Sequence, residues 1–123
     1  MRVVLDSSGW IELLADTGRG HLFEPALDYE QLLVPALVRY EVGRYALVHG
    51  GAEFQELAIR ALTKFVQVVL DARLADAAAR VAHEHRLAAA DAIIYATARL
   101  CEAELWTQDA HFNGLPGVRY FAK

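Results

Sequence analysis

Val3-Val4-Leu5-Asp6-Ser7-Ser8 is the first legible stretch of the chain, and its reading decides the rest. Three apolar residues, two of them β-branched, suit a buried strand, since a strand covered on both faces shows no polar alternation. Capping side chains follow at Asp6, Ser7 and Ser8, and Trp10, Ile11, Leu13 and Leu14 then recur at helical spacing. The chain therefore begins strand, then helix. After breaks at Gly18 and Gly20, a weaker helix containing Phe23, Ala26 and Leu27 is expected. Leu32-Leu33-Val34 reads as a second strand, ending at Pro35, a residue suited to a helix start. Spacing predicts a helix from 36 to about 49, stopped by Gly50-Gly51, and another from 52 to 64. Residues 65–69 read as a third strand, 71–85 and 87–101 as Ala-rich helices, and 104–107 as a fourth strand. A turn at Gly114-Leu115-Pro116-Gly117 introduces a fifth at 118–121. Strands separated by helices require crossovers. The expected fold is α/β, a mainly parallel sheet of about five strands with helices on both faces.

A length of 123 residues with 55% apolar content allows one core and not two, so 1–123 is read as one domain. Charged residues or histidines interrupt every apolar run before the roughly 20 residues a membrane span needs. Asp6 follows Leu5 too soon for a secretory signal, so cytoplasmic residence without membrane association is expected. Cys101 has no partner cysteine for a disulfide or a zinc motif. A net charge of −4 excludes a protein that coats nucleic acid by general electrostatics, so any nucleic-acid partner must be held locally.

Four carboxylates stand in places that burial or topology makes expensive. Asp91 is the only charged residue between Arg86 and Arg99, and helical periodicity puts it on the face of Leu87, Ile94, Ala98 and Cys101. An acid turned toward a core needs a cation, a metal or several donors opposite it. A structural salt bridge is the plain alternative. Glu41 shares a face with Leu37, Tyr45 and Val48, and a pair with Arg44 three residues on is an equally good account of it. Asp6 and Asp109 each follow a strand, where ligands bind in open α/β sheets, or else they cap the elements that come next. Ser7 and Ser8 are available to cap the first helix in place of Asp6. Together, two acids at strand ends and two on inner helix faces can converge beyond one sheet edge. Oxygen-only ligands select hard cations such as Mg²⁺ or Mn²⁺, whose natural chemistry is phosphodiester hydrolysis. The five histidines form no paired ligand motif, and His111, two residues after Asp109, is read as solvent-facing, with reach to a substrate phosphate as the less favoured alternative.

The segments Val4-Leu5-Asp6-Ser7-Ser8, Val34-Pro35-Ala36-Leu37-Val38-Arg39-Tyr40-Glu41-Val42, Ala90-Asp91-Ala92-Ile93-Ile94-Tyr95 and Thr107-Gln108-Asp109-Ala110-His111-Phe112 resemble, in order and spacing, the successive acidic motifs of PIN domains. Within that family the chain is most similar to the VapC toxins of toxin–antitoxin pairs, and the resemblance covers nearly all of it. The resemblance implies a metal-dependent endoribonuclease using Mg²⁺ or Mn²⁺, acting on transfer or messenger RNA. It further implies a homodimer and a small antitoxin protein over the active-site groove. Carried over by position, Asp6 and Asp91 are metal ligands, Glu41 and Asp109 complete the cluster, and Thr107 is a supporting hydroxyl. No acid of the pattern is missing.

Two other enzyme readings fit less well. A phosphoaspartate phosphatase needs a second aspartate two residues after the first, where this chain has Ser8. A receiver-type signalling domain gives no reason for acids at positions 41 and 91. The non-enzymatic alternative is a PIN-like module that binds RNA or protein without cutting, since fold does not fix activity.

Overall fold

Val3, Val4 and Leu5 are all fully buried, so both faces of the first strand are sealed and the absence of polar alternation is explained. In the computed structural model, which describes residues 1–123, this strand, β1 (Arg2–Leu5), lies at the centre of a five-stranded sheet. Its companions are β2 (Gln31–Pro35), β3 (Val66–Val68), β4 (Ala103–Thr107) and β5 (Val118–Tyr120). The order is β3-β2-β1-β4-β5, and every neighbouring pair is parallel. Val3 stands opposite Leu32 on one side and Glu104 on the other.

Four helices make the first three crossovers, α1 (Ser7–Leu14), α2 (Ala36–Thr63), α3 (Ala72–His85) and α4 (Ala89–Leu100), and only a 3-10 turn at Ala110–Phe112 lies between β4 and β5. The chain steps outward from β1 to β2 to β3, then returns past β1 to β4 and β5. Because such crossovers are right-handed, the outward steps put α1 and α2 on one face and the return step puts α3 and α4 on the other. The reversal also leaves a crevice beyond the carboxyl ends of β1 and β4, where the helices diverge. Ligands bind open α/β sheets at such a switch point.

The predicted stop at Gly50-Gly51 is present. Gly51 has φ 74° and ψ −166°, a region open to glycine and closed to other residues. The two arms of α2 fold back on each other there: Arg39 Nη2 donates to Thr63 Oγ1 at 3.0 Å. In an unbroken helix those residues would be about 36 Å apart at 1.5 Å per residue. Val38, Val42 and Ala46 of the first arm and Ala58 and Leu62 of the second all reach the core. Val48 does not: it is 70% exposed, so the predicted Glu41 face is the flank of the arm and not its core side.

Other boundaries moved for local reasons. The weak helix around Phe23 is two 3-10 turns, Gly20–Leu22 and Glu24–Asp28. Pro25 supplies no N–H there, and fully buried Phe23 pins the segment to the core. Helix α4 begins at Ala89, two residues later than expected, because Arg86 closes α3 in the left-handed region and Ala88 is extended. Asp91 therefore lies in the first turn of its helix. No helix is long and apolar enough to cross a membrane.

Candidate active site

Asp6 leaves β1 with its backbone N–H still bonded to the Trp106 carbonyl, at 3.2 Å, so its carboxylate emerges between β1 and β4. Its extended backbone, φ −71° and ψ 174°, is the geometry of a helix cap. Oδ1 accepts from the Gly9 N–H at 3.1 Å and from Ser8 Oγ at 2.6 Å. Asp6 thus caps α1 itself, and Ser8 serves Asp6 instead of replacing it. The second oxygen, Oδ2, accepts from Thr107 Oγ1, and that hydroxyl in turn accepts from the Asp109 N–H at 2.9 Å. One threonine at the end of β4 fastens both strand-end acids.

Asp109 likewise caps the 3-10 turn Ala110–Phe112, with Oδ1 accepting from the His111 N–H at 2.9 Å. The capping alternative holds for both strand-end aspartates, yet it does not remove them from the crevice. The remaining acids enter from helices: Glu41 from the first arm of α2 and Asp91 from the first turn of α4, where the helix dipole favours a negative charge.

The electrostatics show that the four acids share one region. Asp6 is 3% exposed, and burial pushes its carboxyl above the usual range; bonds from Ser8, Thr107 and Gly9 offset part of this and Asp109 adds to it. Glu41 is raised by burial and then by the charges of Asp91, Asp6 and Asp109, with Ser7 working the other way. Asp91 is raised by burial and by Asp109, while His111 lowers it. Glu41 has no ion pair with Arg44, and its Oε1 is a buried oxygen with no hydrogen-bond partner. An orphaned carboxylate oxygen on a group repelled by three other acids is costly unless a cation meets it.

His111 was the residue underrated in sequence. Its side chain is 72% exposed, as expected, but Nδ1 lies 3.2 Å from Asp91 Oδ2 and 3.3 Å from Asp109 Oδ1. These three residues offer ligand atoms within 4.8 Å of one another, a tighter group than any that includes Asp6 or Glu41. The available signal was the Asp109 cap, which turns residue 111 back toward the acid. Gln108 was also passed over. Nearly buried, it donates from Nε2 to Glu12 Oε2 at 3.0 Å and accepts from Arg19 Nε at 2.7 Å, bracing the segment between Thr107 and Asp109.

The residues fit a hard divalent cation, because the donors are oxygens apart from one imidazole and Glu41, which feels the charges of the other three acids, keeps a buried oxygen without a partner. The same arrangement fixes a pH dependence. For Asp6, Glu41 and Asp91 the folded state binds protons more readily than the unfolded chain. Their stabilising contribution is complete below the ordinary carboxyl range and is lost as pH rises through the raised values. Glu12 runs the opposite way. Its burial is outweighed by bonds from Gln108 and Thr17 and by the charges of Arg19 and Lys123, so its contribution is lost as pH falls. Glu41→Gln removes one repelled charge. In EDTA it is expected to melt higher than the wild type at neutral pH and to lose less stability as pH rises above the ordinary carboxyl range, as thermal unfolding would record. Identical pH slopes for the two proteins would mean that Glu41 carries no repulsion.

A family model described as PIN domain matches residues 3–118. The fold is similar to a toxin–antitoxin complex from Klebsiella pneumoniae, with a TM-score of 0.82 and 25% identity over 95% of each chain. It is also similar to the sarcin–ricin-loop-cleaving toxin VapC20 of Mycobacterium tuberculosis, with a TM-score of 0.79 and 19% identity over 94% of this chain and 96% of that one. The DNA-bound VapBC of Salmonella typhimurium gives 0.79 and 14%, over 98% and 97%. No curated protein matches the sequence.

Proposed function

The chain belongs to the PIN-domain family, and on that premise we propose that it is an endoribonuclease dependent on Mg²⁺ or Mn²⁺, the toxin of a toxin–antitoxin pair. The observation that carries this reading is the buried, unpaired Oε1 of Glu41 in a crevice shared by Asp6, Asp91 and Asp109. In this reading Asp6, Glu41, Asp91 and Asp109 hold the metal, with Thr107 as the supporting hydroxyl that orients Asp6. A bound divalent cation supplies an activated water and neutralises charge on the phosphoryl group. The protein's own work is to hold the acids: Thr107 fixes the Asp6 rotamer, Gln108 braces the loop, and the first turn of α4 presents Asp91. VapC20 is named for cleaving the sarcin–ricin loop, which supports RNA as the substrate class.

A small protein partner is part of the same reading, since several similar structures are toxin–antitoxin complexes. Phe23 is buried in the core, but Leu13, Leu14, Leu27 and Phe65, over a floor that includes the almost fully buried Trp10, line an open groove of about 750 Å³ beside α1. That groove suits an apolar segment of an antitoxin or of a second copy. The testing experiment incubates purified protein with mixed RNAs and Mg²⁺ or Mn²⁺, against an EDTA control. Cleavage only with metal is expected. Metal-dependent RNA binding with no cleavage would favour the non-catalytic PIN-like module.

A further inference from the structure

A second groove opens on the other side of α1. It is about 380 Å³ and runs from Ser7 and Glu41 along the first arm of α2 past Tyr40, Arg44, Tyr45 and His49. The two sides of α1 are chemically distinct: Trp10, Leu13 and Leu14 face the apolar groove, while Ser7 and Ile11 wall this one.

Its wall carries a prepared aromatic surface. Tyr45 and His49, four residues apart on the helix, stack with ring centroids 3.9 Å apart and planes at 20°. His49 Nδ1 lies 2.9 Å from the Tyr45 carbonyl oxygen, which locks the imidazole plane against the phenol ring. Tyr45 is half-buried and His49 is exposed, so one ring anchors the other. Tyr40, 63% exposed, stands beside them. Arg44 is exposed and makes no ion pair, although Glu41 is only three residues away. The stacked pair steadies its own helix turn, but Tyr40 and Arg44 add an exposed ring and a guanidinium without an ion pair along the same groove.

We propose that this groove seats a nucleobase of the RNA strand next to the phosphodiester held at the acids, a proposal that rests on the nuclease reading above. The base stacks on the Tyr45–His49 pair with Tyr40 alongside, and Arg44 contacts a flanking phosphate. Only an unpaired nucleotide can present its face in this way, so the substrate is single-stranded at the cut. RNA suits this groove better than a protein helix because it ends at Glu41, one of the clustered acids, and half of its lining residues are polar. The chain's net charge of −4 argues against holding RNA by general electrostatics and so favours local contacts of this kind.

The test uses the full chain carrying Asp91→Asn, so that RNA is bound and not cut, with a labelled single-stranded RNA twelvemer of mixed sequence and Mg²⁺. His49→Ala and Tyr40→Ala are each expected to raise Kd by about fivefold or more, and His49→Phe to restore it. Both altered residues are exposed, so folding is retained. A twelvemer with abasic sites should bind weakly from the start and be indifferent to His49→Ala. Unchanged affinity in the alanine variants, or equal losses on normal and abasic RNA, would overturn the proposal. Intact RNA binding together with lost association of a small partner protein would assign the groove to protein and overturn it as well. Cleavage of mixed RNA by the unmodified chain with Mn²⁺ is run in parallel. Its absence strikes the nuclease reading, whereas cleavage with groove-independent binding strikes this proposal alone.

Discussion

Asp91→Asn is expected to cut RNA at least about a hundredfold more slowly than the wild type while remaining folded. Losing even an outer support of a metal site typically costs 10–100-fold in affinity or activity, and a direct ligand should cost no less; each factor of ten is only about 1.4 kcal/mol of barrier. The substitution keeps the side chain's size and removes a charge that burial and Asp109 already disfavour, so metal-free stability should hold or rise. RNA affinity should change far less than rate, because arginines and not acids contact phosphates. Cleavage and affinity are to be measured side by side for wild type, Asp6→Asn and Asp91→Asn, with Mg²⁺ and with Mn²⁺. Full nuclease activity in a well-folded Asp91→Asn protein would refute the metal mechanism.

Thr107→Val should damage stability and rate together. The hydroxyl donates to Asp6 and accepts the Asp109 N–H, and it is fully buried. Valine keeps the shape but leaves a carboxylate oxygen and a backbone N–H without partners in a dry place. The expected loss is about 1–3 kcal/mol, seen as a lower urea midpoint at unchanged slope. Because Asp6 then loses its orientation, cleavage should fall by roughly 10–100-fold. Thr107→Ser keeps the hydroxyl and should approach wild type in both measurements. A Thr107→Val protein that is destabilised but cuts at the normal rate would confine the residue to a structural role.

Much of this architecture was legible from the sequence because it is local. Val3-Val4-Leu5 and Leu32-Leu33-Val34 announce strands buried on both faces, and Gly50-Gly51 marks the fold-back of α2. Strand order is not local. That β4 returns to lie beside β1, and so brings Thr107 next to Asp6, follows from pairing across a hundred residues and has no signature in either segment. Asp6 and Asp109 were found by the strand-end rule, but their dual use as caps was not, since a capping aspartate and a ligand aspartate look the same in one sequence. Glu41 was placed on a face with Val48 because periodicity gives a direction and not a depth; the core side of that arm is Val38, Val42 and Ala46. His111 shows the reverse: an exposed ring was set against substrate phosphate or solvent, whereas exposure at the mouth of an acidic crevice allows contact with Asp91 and Asp109.

The fold-back at Gly51 also divides the chain into two complementary pieces. A cut between Gly50 and Gly51 falls at an exposed tip, where insertion and nicking are tolerated. It leaves Asp6 and Glu41 on one piece and Asp91 and Asp109 on the other, and it divides the sheet along two seams, between β1 and β4 and between β2 and β3. Neither piece can gather four acids alone, and each would present an unpaired strand edge that invites reassociation or aggregation. Split there and tethered to two proteins that bind each other, the chain becomes a conditional assembly whose acidic crevice exists only when its halves meet.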